Sequence, residues 1–408
     1  MTAAPHEAGA AAHSGGPQAP SAGPLEEAAA HFGLTLVRVL KDGGSDSACA
    51  LATTADGEQV VLKCLQPASE RVDGHGLKTF RAKQRQQELL ERTAPGVAGS
   101  YAAILHSAHR RAWSAYVLTY YPWPTLVEAL RGGGSVPELL GPVLRALVAD
   151  GYGRVVAPGP ERLWQSMYLE RLTRRRWILE RHLPADLLED PHVTVGGRRA
   201  YGLRELVRRA ESANVTALFA GSPLSQPVHG DLNLRNILVP PPGGGPGFRL
   251  LDPRGVLTPW DVVYDLAKML FTVTLFDDTM RAGFALDSAG PGSYTVAGAV
   301  PSPLRAATAG FLELLPEVWT MLADAGFPPG PWVHRLLFAH ASHVLAESAC
   351  RLSDRAEAPA VRYNRSLGLF LNGAVLMTDL LDGLDRGREP DPVAHLGLIG
   401  APDGVPTA

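Results

Sequence analysis

Apolar and polar residues alternate along residues 34–40, 48–53 and 59–65. A period of two marks strands with one face buried. Residues 41–47 and the Thr54-Ala55-Asp56-Gly57 stretch supply turns, and Asp-Gly is the clearer hairpin signal. Three hairpin-connected strands are therefore expected. Residues 79–93 follow as a helix with Phe80, Leu89 and Leu90 as its apolar members, stopped by Pro95-Gly96. Residues 102–105 and 115–120 read as two more strands. The stiff Tyr121-Pro122-Trp123-Pro124 then suits a hinge.

Past the hinge the period changes to that of helices, at 125–131, 136–150, 161–182 and 203–219. A strand, loop, strand unit covers 227–239 and 248–252, with a Pro/Gly-rich turn at 240–247. Helices dominate the remainder, at 262–276, 303–325, 332–352 and 363–384. The expected division is a disordered leader at 1–24, an amino-terminal lobe at 25–120, a hinge at 121–124, a larger lobe at 125–388 and a flexible tail at 389–408. No internal repeat is visible.

Composition narrows the classes of partner. A chain of 408 residues is long enough for more than one core. Its 38 Lys and Arg against 41 Asp and Glu carry no electrostatic footprint for nucleic acid, which favours a small soluble ligand. Cys49, Cys64 and Cys350 are far apart and odd in number, against a disulfide framework or a zinc site and in keeping with a reducing, cytoplasmic setting. The leader lacks the basic start and apolar core of a secretory signal. Apolar runs are broken by charge, Pro or Gly, so no membrane association is expected. A monomer and a homodimer are both compatible.

The chemistry concentrates in His229-Gly230-Asp231-Leu232-Asn233-Leu234-Arg235-Asn236. Phosphoryl transfer needs an oriented hydroxyl, metal ions on the phosphates and fixed positive charge. Asp231, on a loop leaving a strand, is the expected base for the hydroxyl. Asn236, where the loop rejoins a strand, offers an amide oxygen to magnesium, and Asp252, after residues 248–251, offers a carboxylate. His229 is expected to fix the loop through hydrogen bonds near Asp252 rather than to move protons. Asp265 is expected either to sit as an N-terminal helix residue or to brace the same loop, in support rather than in chemistry.

Lys63 stands within the apolar Val60-Val61-Leu62-Lys63-Cys64-Leu65, where an unpaired ammonium is costly. It either meets an anionic partner, with Glu88 favoured over Glu91 and Glu70, or snorkels from an edge strand to solvent. Ser45 and Ser47 in the first turn, and Tyr120 before the hinge, are further candidate nucleotide contacts. Trp123 either flanks a base or packs between lobes. The run Arg171-Leu172-Thr173-Arg174-Arg175-Arg176 is either a solvated helix face or part of a substrate site; the latter would favour an acceptor carrying phosphate or carboxylate.

The string from His229 to Asn236 fits the HxDxxxxN pattern and resembles the aminoglycoside phosphotransferase and choline kinase superfamily. Leu251-Asp252-Pro253-Arg254-Gly255 looks like its metal-binding segment, and Tyr264-Asp265-Leu266-Ala267-Lys268 is similar to the helix start that follows. The DPRG form, with Tyr168, Arg171 and Arg175 upstream, resembles sugar- or capsule-associated members. The resemblance implies an α+β, bilobal protein-kinase-like fold: a small, mostly antiparallel lobe with one helix, and a larger, mainly helical lobe. It implies magnesium-dependent transfer of the γ-phosphoryl group of ATP or GTP to a hydroxyl of a sugar, nucleoside, amino alcohol or antibiotic.

Two departures qualify the resemblance. Asp42-Gly43-Gly44-Ser45-Asp46-Ser47 is not a GxGxxG loop, and no Walker A sequence occurs, so the choice between ATP and GTP is open. Only Val256 to Tyr264 separate Gly255 from Asp265, too little for the activation loop of a protein kinase. The non-enzymatic alternative is a pseudokinase-like scaffold that binds a nucleotide or metabolite.

Overall fold

A five-stranded antiparallel sheet forms one lobe and a mainly helical body the other. The computed structural model describes residues 23–40, 47–65, 76–153, 156–159, 164–241, 243–244, 247–299, 302–327, 330–354 and 357–399. Expectations on residues 1–22, Ser45, Glu70 and residues 400–408 lie outside them. The sheet comprises β1 (Thr35–Leu40), β2 (Ser47–Thr53), β3 (Gln59–Leu65), β4 (Ile104–His109) and β5 (Ser114–Thr119), in the order β1-β2-β3-β5-β4.

Central β3 explains the placement of Lys63. Val60, Leu62 and Cys64 point to one face, where α1 (Pro24–His31) covers them with Ala28 and Ala29. Lys63 and Leu65 point to the other face, toward α2 (Leu77–Thr93), where Phe80 stacks on Tyr116 at 4.5 Å. Lys63 pairs in register with Cys49 on β2 and Tyr116 on β5. It is therefore not on an edge strand and has no route along one to solvent. The expectation of one helix in this lobe is corrected: α1 and the single turn Pro95–Ala98 join α2. The small Ala28 and Ala29 let α1 lie close against the sheet.

The hinge is clamped to the larger lobe. Val239 donates its N–H to the carbonyl of Pro124 at 3.0 Å, and the Arg249 guanidinium lies over the rings of Tyr121 and Trp123 at 4.9 and 5.3 Å. Trp123 thus packs between segments of the chain.

In the helical lobe, Trp332–Leu352 lies between Pro359–Asp385 and Val263–Phe271 in the main core. The helix Pro359–Asp385 is long and apolar enough to cross a membrane, contrary to expectation, but 83% of its most apolar window is buried within the fold. Two continuous helices expected at 161–182 and 203–219 are instead broken near Arg174 and Glu211-Ser212. The strands Phe284–Gly290 and Ser293–Gly298, with Val193–Val195 and Arg198–Ala200, form an unexpected four-stranded sheet. The expected flexible tail also begins with structure. Asp391 caps the helix Pro392–Leu396, and Leu396 and Ile399 are buried in the core.

Candidate active site

The 229–236 segment is an anchored loop. Leu232, Leu234 and Ile237 are fully buried, while the adjacent Asp231 and Asn236 stay partly exposed toward the cleft. Asn233 caps the turn Leu234–Asn236 by accepting the Arg235 N–H at 3.1 Å. Arg235 makes a forked ion pair with fully buried Asp277, its Nη2 2.7 Å from Oδ1. The other end of the loop is held by Asp265, whose carboxylate accepts the N–H groups of His229 at 2.9 Å and Gly230 at 2.8 Å, and the Tyr152 hydroxyl at 3.0 Å. Burial pushes the Asp265 carboxyl up to about 7 against those three donors.

Gly230 has φ +79°, and a side chain there would meet Val256 and Arg254 within 3 Å, so this turn requires glycine. His229 is buried and stacks on Tyr101. Its Nδ1 accepts the Asp231 N–H at 3.2 Å while its Nε2 donates to the Leu251 carbonyl at 2.9 Å, which requires the neutral Nε2–H tautomer. Burial lowers its pKa to about 4. The imidazole ties the 229–236 loop to the strand that carries Asp252.

Asp231 is held at both its carboxylate and its backbone. Lys268 sits 3.2 Å from its Oδ1, and Asn236 Nδ2 donates to its backbone carbonyl at 2.9 Å. The Asn236 amide oxygen consequently faces away from that bond. Ile237–Leu238 pairs antiparallel with Arg249–Leu250, and Leu251 donates its N–H to the Asn236 carbonyl at 2.8 Å. This short ladder brings Asn236 and Asp252 side by side. Asp252 has φ +54°, a left-handed conformation that costs an aspartate on the order of 1 kcal/mol. An amide oxygen next to a carboxylate, all hard oxygen donors, fits magnesium.

Lys63 reaches Asp252 across the cleft at 2.5 Å, and Lys83 on α2 donates to the same Oδ1. Burial opposes the Lys63 charge, but Asp252, Tyr116 and Cys49 together outweigh it and raise the Lys63 pKa. Burial and the neighbouring Lys63 lower Lys83 despite Asp252. Against its own burial, the Asp252 carboxyl is held far below the usual range by both lysines.

The expected Lys63–Glu88 pair is absent, and this expectation is corrected. The buried face of α2 is Phe80, Lys83, Gln86, Gln87 and Leu90. Glu88 follows Gln87, turned about 100° around the helix, and its carboxylate meets Gln84 at 3.3 Å on the exposed side. Glu91 is exposed as well. Gln86 instead joins the lobes: its Nε2 donates to the Val228 carbonyl at 2.6 Å and its Oε1 accepts the N–H groups of Gly255 and Val256 at 2.6 and 2.9 Å.

Of the remaining candidates, Ser47 is buried at the start of β2 and hydrogen-bonded to Cys49, the register partner of Lys63. Tyr120 is half-buried at the entrance to the hinge. The arginine run divides. Arg174 pairs with Glu170, and Arg176 with Glu180 and Glu189, toward solvent. Arg171 and Arg175 turn inward, where Arg171 donates to the Tyr264 hydroxyl at 2.8 Å and Arg175 to Cys350 Sγ at 2.7 Å.

Lys83, Gln86 and Lys268 are the residues that sequence reasoning left without a role. A signal existed for the first: Lys83 falls on the i, i+3, i+7 stripe from Phe80 to Leu90, where polar residues interrupt an otherwise buried face.

No family model matches this chain, and no curated protein matches it by sequence. Among solved structures it is similar to an amicoumacin kinase in complex with AMP-PNP and Ca2+, with 11% identity, 90% of this chain and 94% of that chain covered, and a TM-score of 0.47. It is also similar to a type VIII aminoglycoside-3'-phosphotransferase, at 16% identity, 78% and 98% coverage and a TM-score of 0.44. A glucosamine kinase in complex with glucosamine, ADP and inorganic phosphate gives 15%, 82% and 93%, and 0.42. The chain's own sheet order, hinge and loop ladder define a bilobal, protein-kinase-like α+β fold.

Proposed function

We propose that this protein is a cytoplasmic phosphotransferase that moves the γ-phosphoryl group of ATP or GTP to a hydroxyl of a small molecule. The observation that carries the reading is the convergence on Asp252: Lys63 meets it from the sheet lobe, while the strand ladder sets Asn236, and with it Asp231, alongside.

Asp231 accepts the proton of the attacking hydroxyl as the new O–P bond forms and the bond to the bridging oxygen of the nucleoside diphosphate breaks. Lys268 pairs with Asp231 and aims its carboxylate before the substrate arrives. His229 positions the loop and exchanges no proton in this scheme, because both of its nitrogens are engaged with backbone. Asn236 and Asp252 are the residues that would hold magnesium, which supplies charge neutralisation on the phosphates. Lys63 and Lys83 supply the fixed positive charge. Two ammonium groups sharing one oxygen repel by on the order of 4 kcal/mol at an effective dielectric near 20, and a polyphosphate relieves that repulsion. Ser47 and Tyr120 flank the nucleotide from β2 and the hinge.

The test is turnover of a panel of hydroxyl compounds with magnesium and either nucleotide, followed by mass spectrometry. A phosphorylated product that falls by about 100-fold or more in Asp231→Asn, with nucleotide binding retained, supports the assignment. Turnover unaffected by that substitution overturns it. Tight nucleotide binding with no acceptor phosphorylated points to a binding scaffold.

A further inference from the structure

Two guanidinium groups converge on one buried phenol beside the catalytic loop. Arg171 and Arg254 donate to the Tyr264 hydroxyl oxygen at 2.8 and 2.9 Å. Arg171 comes from the broken helical region before the loop and Arg254 from the segment after Asp252. Arg254 is fixed there, since its N–H donates to the His229 carbonyl at 2.9 Å and its side chain packs against Gly230. Tyr264 lies one helical turn before Lys268, which holds Asp231. The two guanidinium groups therefore sit beside the position of the attacking hydroxyl.

Among the described residues no carboxylate touches either guanidinium, although Glu347 and Asp231 act on Arg171 through space. Lys268 pairs with Asp231, while Arg351 pairs with Glu347 at 2.6 Å and with Asp354 at 3.4 Å. Among the described residues, neither Arg171 nor Arg254 makes an ion pair with a carboxylate. Glu347 is the nearby anion, already held by Arg351. His343, against Arg171 at 3.4 Å, is neutral: its Nε2 donates to the Tyr264 carbonyl at 3.2 Å, which leaves Nδ1 as an acceptor. Arg171 Nε is enclosed and has no hydrogen-bond partner.

We propose that Arg171 and Arg254 form an anion-binding subsite for the acceptor, so that the hydroxyl facing Asp231 is carried by a molecule bearing a carboxylate or phosphate. This rests on the phosphotransferase reading and narrows its substrate. Guanidinium forks match the paired oxygens of both anions. A polycationic acceptor would instead face two positive charges that no carboxylate touches.

The experiment compares one polyol scaffold in four forms: a neutral sugar, its amino sugar, its uronic acid and its monophosphate. Binding to the full chain is read by calorimetry with magnesium and a non-hydrolysable nucleotide analogue. The expected result is binding of an anionic form, with the uronate and monophosphate arms separating the two chemistries. Arg171→Gln and Arg254→Gln should each weaken it by about tenfold or more, with nucleotide affinity within about twofold. Arg171→Lys should recover part of the loss, and Arg174→Gln should change nothing.

Equal or tighter binding of the neutral or amino form overturns the proposal, as does failure of both anionic forms to bind. It is also overturned if Arg254→Gln weakens the nucleotide instead. Should either variant fail to fold, the four-form comparison on the unaltered chain still decides. In a parallel turnover assay of the four forms with ATP or GTP, anion binding with no phosphorylation would sink the phosphotransferase reading but keep the subsite; a phosphorylated amine would do the reverse.

Discussion

Lys83 donates to the same carboxylate oxygen of Asp252 that Lys63 holds at 2.5 Å. The helix facing β3 thus presents a cation where sequence reasoning placed the carboxylate of Glu88. The anion that positions Lys63 is the candidate metal ligand itself. In the proposed reaction, nucleotide binding and the ordering of both lysines would be coupled through that single side chain.

Lys83→Met should therefore weaken nucleotide binding by about tenfold or more, the value of one charge-assisted hydrogen bond to phosphate. Titration of a fluorescent nucleotide analogue in the presence of magnesium measures this. Unchanged affinity would make Lys83 a brace for Asp252 and nothing more.

Glu88 and Gln86 should behave oppositely to what their chemistry suggests in sequence. Glu88→Ala should alter stability by less than about 0.5 kcal/mol, because the residue is exposed. Gln86→Ala should cost about 1–3 kcal/mol, since the Val228 carbonyl and the N–H groups of Gly255 and Val256 lose their partner. Urea unfolding of the two variants compares them directly.

His229 links stability to pH. Its folded pKa of about 4 lies below the ordinary 6.5, so the unfolded chain takes up the proton first as pH falls. Stability from this group is complete above pH 6.5, declines as pH falls toward 4 and levels off below that. Between pH 7.5 and pH 5 the loss is about 2 kcal/mol. In His229→Gln the fall over that interval should be smaller by this amount, whatever the variant's stability at pH 7.5. A parallel fall in the two proteins would contradict the buried neutral imidazole.

Asp277 collects three arginines: Arg235 at 2.7 Å, Arg281 at 3.1 Å and Arg131 at 3.6 Å. Asp277→Ala leaves these charges around an emptied buried site and should cost about 3–5 kcal/mol. Because Arg235 belongs to the 229–236 loop, turnover should fall even under conditions where the variant is fully folded. Melting curves and kcat measured on the folded fraction separate the two effects.

The local code was legible where one element suffices to express it. Alternation and Asp56-Gly57 specified β2, β3 and their turn. The helix Trp332–Leu352 coincides with its expected bounds, and the loop from His229 to Asn236 shows its apolar anchors in the spacing of Leu232, Leu234 and Ile237. The hairpin Phe284–Gly290 and Ser293–Gly298 was hidden because each strand carries only two inward apolar residues, Phe284 and Leu286 and then Tyr294 and Val296, too short an alternation to mark it.

What the sequence determined by itself was the order of parts: a strand bearing Lys63, a hinge, a loop bearing Asp231 and Asn236, and a strand end bearing Asp252. Periodicity and turn chemistry act over a few residues and can be read from one chain. Partner choice was decided only by the tertiary structure. Rotation about α2 turned Glu88 outward and Lys83 inward. The approach of Arg254 and a distant helical segment to Tyr264 separated Arg171 from its solvated neighbours Arg174 and Arg176. Charges on separate elements have no register in sequence, and only packing sets the distances at which they meet.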